Sequence, residues 1–418
     1  MGGDSPSPGR PRIRSIVPKV HRPRSIALSS PLLSRPGVHT TAFYMAFFMA
    51  NGVHLPFWPL WLENWGLTAS EVGLFTALGI GVRVVAGLVI PAMADRLDAR
   101  RATIVACALA GALIFVGHLW IRDKAVLLLA TLAAGAMMAG ISPIGEALGV
   151  AAARIFGFSY APTRGIGSIG FLTANLLVGA LIASTGVMIA LWWIVGCLLA
   201  TMTLAWHHPG GQRLQGQTPP RIGEIRQLVL NPVFAVFVAA LAFTQASHAV
   251  FYAYGTIHWT ALGLGESRIG ALWATGVGAE VVFMVTIGAW MTRALGPVGS
   301  LTLSGVAGVV RWGAMMFDPT GWILWPLTAL HAFTFAIGHL GAMAFISRAI
   351  PPRFGAAAQG AAAAMAAGLV LALGMAAAAA VYPTLGGLTY GIGVLMSAIG
   401  LGVCARLARV WHGEELAV

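Results

Sequence analysis

Charged residues are scarce in this sequence. They make up 9% of its 418 residues, whereas 58% are hydrophobic. Soluble domains carry about a quarter charged residues, and a chain this poor in charge cannot solvate the surface of a soluble fold of its size. The composition therefore excludes an ordinary soluble enzyme and predicts an all-α membrane protein that crosses the bilayer many times. We expect no nucleic-acid partner.

Cysteine and catalytic motifs are equally sparse. Cys107, Cys197 and Cys404 are far apart, each within an apolar run, and have no metal-ligand spacing. The chain lacks H-E-x-x-H and G-x-S-x-G. The stretch GIGSIG (165–170) matches G-x-G-x-x-G, but it follows no predicted strand and opens an apolar helix, which favours close helix packing. We expect no catalytic residue, no cofactor and no metal ion.

Long apolar runs are what the sequence has in abundance. A spanning helix needs about 20 mostly apolar residues, and only helices or closed barrels satisfy their backbone polar groups in lipid. The runs predict twelve spans, numbered here in chain order: 38–62, 70–94, 99–120, 124–150, 162–185, 187–207, 232–260, 267–292, 297–317, 321–348, 354–384 and 386–410.

Basic residues predict the orientation of these spans. Twenty of the 25 fall on the side of the N-terminus, three on the opposite side and two within spans, so the positive-inside rule places both termini in the cytoplasm. We expect the following segments: a basic disordered cytoplasmic tail (1–37), a six-helix bundle (38–207), a cytoplasmic linker (208–231), a second six-helix bundle (232–410) and a cytoplasmic C-terminus (411–418).

An internal repeat relates the two halves. At an offset of 197 residues, GLTASEVGLFTALGIGVRVV (66–85) aligns with GLGESRIGALWATGVGAEVV (263–282), and nine of the twenty positions are identical. The alignment places Arg83 opposite Glu280, so equivalent helices carry opposite charges at the same depth. Two parallel halves with a site near the midplane are typical of one class of secondary transporters.

Several stretches resemble a known family. The loop PAMADRLDARR (91–101) is similar to the G-x-x-x-D-R-x-G-R-R signature of the major facilitator superfamily, with Pro91 and Asp98 in place of its two glycines. Within that superfamily the chain resembles bacterial phenylpropionate:proton symporters. The stretches that carry this resemblance are LPFWPLWL (55–62), YAPTRGIGSIGF (160–171), QASHAVFYAY (245–254), GVVRWG (308–313) and LHAFTFAIGHLGAM (330–343).

This resemblance implies a function. The expected protein is a proton-coupled uptake carrier for a small organic substrate, with an aromatic carboxylate as the first hypothesis, that works by alternating access as a monomer in the cell inner membrane. Nucleoside or sugar symport and efflux antiport remain alternatives. Span 5 lacks the Gly-Pro motif of drug antiporters, which favours uptake.

We expect four charged residues to be embedded in the membrane: Arg83, Glu146, Glu280 and Arg311. A charge at the bilayer centre is costly and is by default a functional hypothesis. Arg83 is near the middle of span 2 and is a candidate for binding a substrate carboxylate. We expect Glu280 and Arg311 to form a salt bridge that either couples transport to protons or orders the bundle as a static pair.

The resemblance also implies a cytoplasmic gate. Family members pair an acid in span 4 with an arginine in span 5, which here are Glu146 and Arg164. Asp95, Arg96 and Arg100 of the signature loop complete the expected gate. A static ion pair is the alternative.

Spans 1, 4, 7 and 10 line the cavity in this family, and polar residues recur on them at helical spacing. The predicted substrate-binding residues are Asn51, His54, Arg83, Gln245, His248, Tyr252, His331, Phe335 and His339. Asn51 and His54 depart from the family pattern. Hydrogen-bonded structural histidines are the alternative, whereas Trp58, Trp61 and Trp259 are predicted to belong to the interfacial aromatic belt.

Overall fold

The computed structural model describes residues 1–3, 34–210, 222–351 and 354–417. Most of the predicted basic tail and part of the predicted linker lie outside these ranges. All secondary structure within these ranges is helical, and the described residues contain no β-strand. The protein is an all-α membrane protein, as its composition predicts.

The first half contains six long helices with clear end signals. Ser34 and Asp123 accept backbone hydrogen bonds at the starts of their helices, and Thr68 forms a capping box with Glu71. Gly66 ends the first helix with φ of 116°. The helices are α1 (Arg35–Trp65), α2 (Ala69–Arg96), α3 (Arg100–Gly117), α4 (Lys124–Phe156), α5 (Tyr160–Thr185) and α6 (Met188–Trp206).

The second half is less regular. A short helix, α7 (Ile222–Leu230), lies in the predicted linker and precedes the second bundle. The remaining helices are α8 (Pro232–Ala246), α9 (Ala249–Ala261), α10 (Glu266–Phe283), α11 (Ala289–Met315), α12 (Leu324–Ala329), α13 (Ile337–Ala349), α14 (Gly355–Ala363), α15 (Leu371–Leu385) and α16 (Gly391–Val410). Three π-helical segments interrupt the series at Met284–Gly288, Ala332–Ala336 and Ala364–Val370.

The described helices accommodate all twelve predicted spans. Within the described ranges, nine stretches are long and apolar enough to cross a membrane. The two longest, Glu266–Met315 and Ala357–Val410, contain two predicted spans each. The first of these breaks at Gly296, which has φ of 70° and precedes Pro297. With α1, which is 31 residues long, the total is twelve.

The helices form two pseudo-symmetric bundles. In the first, α1 packs against α5 and α6, while α4 packs against α2 and α3. In the second, α11 packs against α13 and α16, and α8 packs against α16. The most extensive contacts between the bundles join α2 to α15 and α5 to α10. These two contacts are related by the repeat, because it superposes span 2 on span 8 and span 5 on span 11.

The two bundles approach closely at one end, called here the outer end, where α1 finishes and α2 begins. The Tyr254 hydroxyl donates to the Ala69 carbonyl at 2.8 Å, and the Ser70 hydroxyl donates to the Ala379 carbonyl at 3.0 Å. A Cβ atom on Gly73 would lie only 1.9 Å from the Tyr254 hydroxyl oxygen. The outer end is therefore closed in this structure, and glycine makes the closure possible.

The prediction of an interfacial belt is wrong for all three tryptophans. Trp58 and Trp61 are each 3% exposed and stack on one another with ring centroids 4.6 Å apart, and Trp259 is 1% exposed. Trp58 also meets the Phe115 ring edge-on at 4.8 Å. Helical spacing explains the burial of the first pair, because Trp58 and Trp61 share the face of α1 that carries His54.

Candidate functional site

A cavity of about 50 Å³ lies next to Arg83, lined mainly by residues of the first bundle, and we call it the Arg83 cavity. Its walls are largely apolar and aromatic. Pockets for small molecules combine an apolar lining with a few placed polar groups, and this cavity has that composition. The lining that matters here comprises His54, Trp58, Phe75, Gly79, Arg83 and Tyr252.

The Arg83 side chain has no hydrogen bond or ion pair with any described residue. Glu146, one partner that its depth allows, instead binds Arg164 through Oε1 and Nε at 2.5 Å. The aliphatic stem of Arg83 lies over Gly135 of α4, where an added Cβ would be 3.6 Å from the Arg83 Cγ. A permanent charge in an apolar cavity needs a counter-charge, so the geometry leaves Arg83 ready for an anion.

The space beside Arg83 extends away from the closed outer end. A cavity of about 540 Å³ continues along α2, α4 and the π-helical segment Ala364–Val370, and is lined by Gly87, Ser142 and Ala367 among others. A smaller cavity joins Arg83 to Asn51 and Phe171. Gly87, Ser142 and Ala367 lie further from the outer end than Arg83 does, on the side that carries the chain termini, called here the termini end. The described cavities therefore lead from Arg83 toward the termini end.

A buried polar network occupies the second bundle. Arg311 is 1% exposed and donates from Nη1 to His331 Nδ1 at 3.3 Å and to the Thr334 hydroxyl at 3.0 Å. His331 Nε2 lies 3.4 Å from Glu280 Oε2. Since arginine has no acceptor, Nδ1 of His331 accepts and its proton is on Nε2, facing the carboxylate.

The predicted salt bridge between Glu280 and Arg311 is therefore wrong in its partner. Among the described residues His331 lies between the two charges and contacts both. Helix positions explain the error, because span 10 inserts its histidine between spans 8 and 9. Linear depth along two helices carries no information about a third.

His248 extends the network. Its Nδ1 lies 2.8 Å from the Gln245 carbonyl and so donates to it, and its Nε2 accepts from the Thr334 hydroxyl at 3.0 Å. The Arg311 guanidinium also stacks over Trp312 at 4.5 Å. The Thr334 hydroxyl donates to His248 and accepts from Arg311, and so links these two side chains.

A third cavity places this network beside the first bundle. Arg311 and His331 line it together with Leu55 of α1 and Tyr252 of α9. Leu55 and Tyr252 also line the Arg83 cavity. The two arginines thus lie in adjoining cavities that share the same two side chains.

Irregular backbone positions the second-bundle residues. Span 7 breaks between α8 and α9 at Ser247 and His248, which places His248 at the break. Span 10 contains the π-helical segment Ala332–Ala336, directly after His331 and including Thr334. Such π-helical turns cost hydrogen-bond geometry and are frequent at functional sites.

A model described as the MFS_1 like family matches residues 38–390. The chain belongs to this family. It is therefore a transporter of the major facilitator superfamily (MFS) and not an enzyme.

Individual relatives are moderately similar. The chain is 30% identical over 312 residues to the probable 3-phenylpropionic acid transporter of Escherichia coli, covering 73% of this chain and 80% of that protein. It is 23% identical over 314 residues to a maltose permease of Geobacillus stearothermophilus, covering 74% and 79%. The crystal structure of the nucleoside transporter NupG has a TM-score of 0.74 at 17% identity, covering 90% of this chain and 99% of that one.

The remaining predicted binding residues of this MFS transporter are more scattered. Gln245 Nε2 donates to the Phe335 carbonyl at 3.3 Å, while its Oε1 is buried without a hydrogen bond in the described structure. Phe335 stacks on His331 with ring centroids 5.2 Å apart. His339 is exposed and contacts the far side of Phe335. Gln245, Phe335 and His339 do not line the four cavities described above.

The expected gate residues form two separate groups. Arg164, bound to Glu146, lies 4.1 Å from the centre of the Phe48 ring, and Tyr44 reaches Glu146 Oε2 at 3.5 Å. The predicted ion pair is therefore present, and it lies within the first bundle. Whether it gates transport stays a prediction.

The second group is the signature loop at the termini end. Arg100 Nε binds Asp95 Oδ1 at 2.6 Å, and Arg96 is exposed. Asp98 has φ of 52°, a left-handed conformation that glycine adopts most easily and aspartate tolerates. The loop thus keeps the backbone shape expected of the family's glycine although the residue differs.

Sequence reasoning missed part of the Arg83 cavity. Phe75, Gly79 and Met375 line it but carry no charge that would attract attention. The signal was present in the spacing, because Phe75, Gly79 and Arg83 recur every four residues and share one helix face. The contribution of Met375 from the second bundle had no local signal.

Proposed function

We propose that this MFS transporter takes up a small aromatic carboxylate together with protons by alternating access. The observation that carries the proposal is Arg83, a guanidinium without a described partner in a largely apolar and aromatic cavity. The Escherichia coli relative is named as a probable 3-phenylpropionic acid transporter, which supports the same substrate class. A guanidinium binds a carboxylate through two parallel hydrogen bonds, and Trp58 and Phe75 offer apolar surface to a ring.

Proton coupling is assigned to the network of Glu280, His331 and Arg311. While Glu280 is ionised, it accepts from the His331 N–H, and His331 in turn accepts from Arg311. A proton on Glu280 removes the charge that holds His331 Nε2, so the imidazole can turn and release Arg311. Because Arg311 and His331 line the cavity next to Arg83, this change reaches the substrate site.

Alternating access follows from the closed outer end. In the proposed cycle this structure represents the inward-facing state, with both termini in the cytoplasm and the protein acting as a monomer in the inner membrane. Opening to the outside separates α2 from α15 and α5 from α10. The termini end then closes near the gate residues Asp95, Arg96, Arg100, Glu146 and Arg164.

Transport by purified protein tests the proposal. Proteoliposomes are loaded at neutral pH, diluted into acidic or neutral buffer, and given labelled 3-phenylpropionate, a nucleoside or a disaccharide. The expected result is accumulation of the aromatic acid that needs the inward proton gradient and disappears with a protonophore. Accumulation of the nucleoside or the disaccharide instead would reassign the substrate. Uptake that occurs only when protons leave the vesicle in exchange would indicate an antiporter.

A further inference from the structure

We infer that Gly79 determines which carboxylates fit, because it leaves open the part of the Arg83 cavity that receives the substrate's ring. This inference rests on the proposed function and concerns the same site. It assigns to Gly79 a role in specificity and predicts that the accepted acids carry an aryl group on a short chain.

The first argument is the stripe on α2. Phe75, Gly79 and Arg83 succeed one another at four-residue intervals and all line the cavity. Each interval is about 6 Å along the axis. The stripe therefore presents an aromatic ring, a gap and a cation in that order, which matches a molecule that has a ring at one end and a carboxylate at the other.

The second argument is the space itself. A Cβ atom built on Gly79 would meet no atom within 4 Å. Since Gly79 lines the cavity, that open space belongs to the cavity, and a larger side chain would extend into it. Gly135 on α4 differs, because its missing Cβ faces the Arg83 stem at 3.6 Å. Gly79 leaves room for the ligand, whereas Gly135 leaves room for the arginine.

The third argument comes from the repeat. Gly276 of α10 is the equivalent of Gly79 and also lines a cavity. A Cβ on Gly276, however, would lie 3.3 Å from the Thr328 methyl and 3.6 Å from the His331 Cβ. In the second bundle, Thr328 and His331 thus occupy the volume next to Gly276, whereas the equivalent volume next to Gly79 in the first bundle stays open. The asymmetry places the ring-binding space beside Gly79.

The walls around this gap are defined by packing. Trp58 is held between Trp61 and the edge of Phe115, so its ring is a rigid surface. Met375 of α15 is fully buried and lines the same cavity from the second bundle. A methionine side chain adapts its shape to its neighbours. Because Met375 belongs to the second bundle, it lines the cavity only while α15 packs against the first bundle.

A length series tests the inference. Binding of benzoate, phenylacetate, 3-phenylpropionate and 4-phenylbutyrate is measured by calorimetry on purified wild-type, Gly79→Ala and Gly79→Val proteins. Filling the gap should weaken binding of the acid that the wild-type protein binds best. We expect a loss of affinity of roughly tenfold or more in Gly79→Val and a smaller loss in Gly79→Ala. The preference should also shift toward acids of different length. Gly81→Val is the matched control, since Gly81 has equal free space on α2 but lines none of the described cavities.

The outcomes separate the two proposals. A uniform loss for all four acids, an unchanged order of preference, or an equal effect of Gly81→Val would overturn the role of Gly79 while leaving aromatic acids as substrates. If the wild-type protein neither binds nor transports any of the four acids, the proposed substrate class fails and the inference falls with it. If Gly79→Val does not fold, Gly79→Ala alone decides through the order of preference.

Discussion

At the scale of single residues, the two charges at equivalent positions of the repeat have different surroundings. Arg83 has no described partner, whereas Glu280 contacts His331. The cost of holding an unpaired charge in an apolar cavity is offset only if something binds it. The sequence pattern predicted that both charges would lie inside the membrane, and it could not predict that only one would be left unpaired.

Replacing Arg83 by glutamine should weaken binding of the aromatic acid about 10- to 100-fold, because a charge-assisted hydrogen bond contributes roughly 1.5–3 kcal/mol. Arg83→Lys keeps the charge but loses the paired geometry and should give an intermediate affinity. Calorimetry on the three proteins measures both effects. Wild-type affinity in Arg83→Gln would show that the carboxylate binds elsewhere.

Replacing Glu280 by glutamine should separate transport from its driving force. The amide keeps an oxygen that accepts from His331 but cannot take up a proton, so counterflow exchange of labelled substrate should persist while accumulation driven by the proton gradient is lost. Both are measured in the same proteoliposomes. Concentrative uptake by Glu280→Gln at the wild-type level would remove Glu280 from the coupling mechanism.

At the scale of helices, the positions of the spans were predictable and their internal breaks were not. The twelve predicted ranges overlap the helices, because apolar runs and caps such as Thr68 and Asp123 are local signals. The break at His248 and the π-helical segment at Ala332–Ala336 depend on neighbouring helices that satisfy the distorted backbone. For the same reason His331 was identified as a candidate, whereas its position between Glu280 and Arg311 was not.

The contact of α2 with α9 and α15 depends on a single small residue. A side chain at Gly73 would overlap the Tyr254 hydroxyl and come within 2.7 Å of the Ala379 Cβ. Gly73→Leu should therefore hold the outer end open. In a cysteine-free background, a cysteine placed at Ser70 should react at least several-fold faster with an impermeant thiol reagent when Gly73→Leu is present. Gly81→Leu on the same helix is the control, and equal reactivity in both would mean that this contact does not close the outer end.

At the scale of the whole molecule, the bundles are related by symmetry but differ in chemistry. The glycine pattern is shared, and it produces the two equivalent inter-bundle contacts, α2 with α15 and α5 with α10. The charged residues at Arg83 and Glu280 are not shared, so the proposed substrate site is centred on the first bundle and the network around Glu280 on the second. In the proposed cycle, protonation in the second bundle must affect substrate binding at Arg83. The cavities next to Arg83 and Arg311 share Leu55 and Tyr252, and these side chains connect the two sites.

Locking one inter-bundle contact should stop the cycle. The Ser70 hydroxyl lies 3.0 Å from the Ala379 carbonyl, so cysteines at positions 70 and 379 are close enough to test for oxidative cross-linking. The cross-linked protein should lose uptake but still bind the aromatic acid from the termini end, and a reductant should restore transport. Each single-cysteine protein is the control, and full uptake after complete cross-linking would exclude separation of α2 from α15 during transport.

The opposite charges of Arg83 and Glu280 have a consequence for the energetics of accumulation. An anion bound at Arg83 and a proton bound at Glu280 neutralise one fixed charge in each bundle, and together they add no net charge to the carrier. A cycle that carries one of each is electroneutral, so the membrane voltage does no work on it. The pH difference alone would then set how far the substrate can be concentrated.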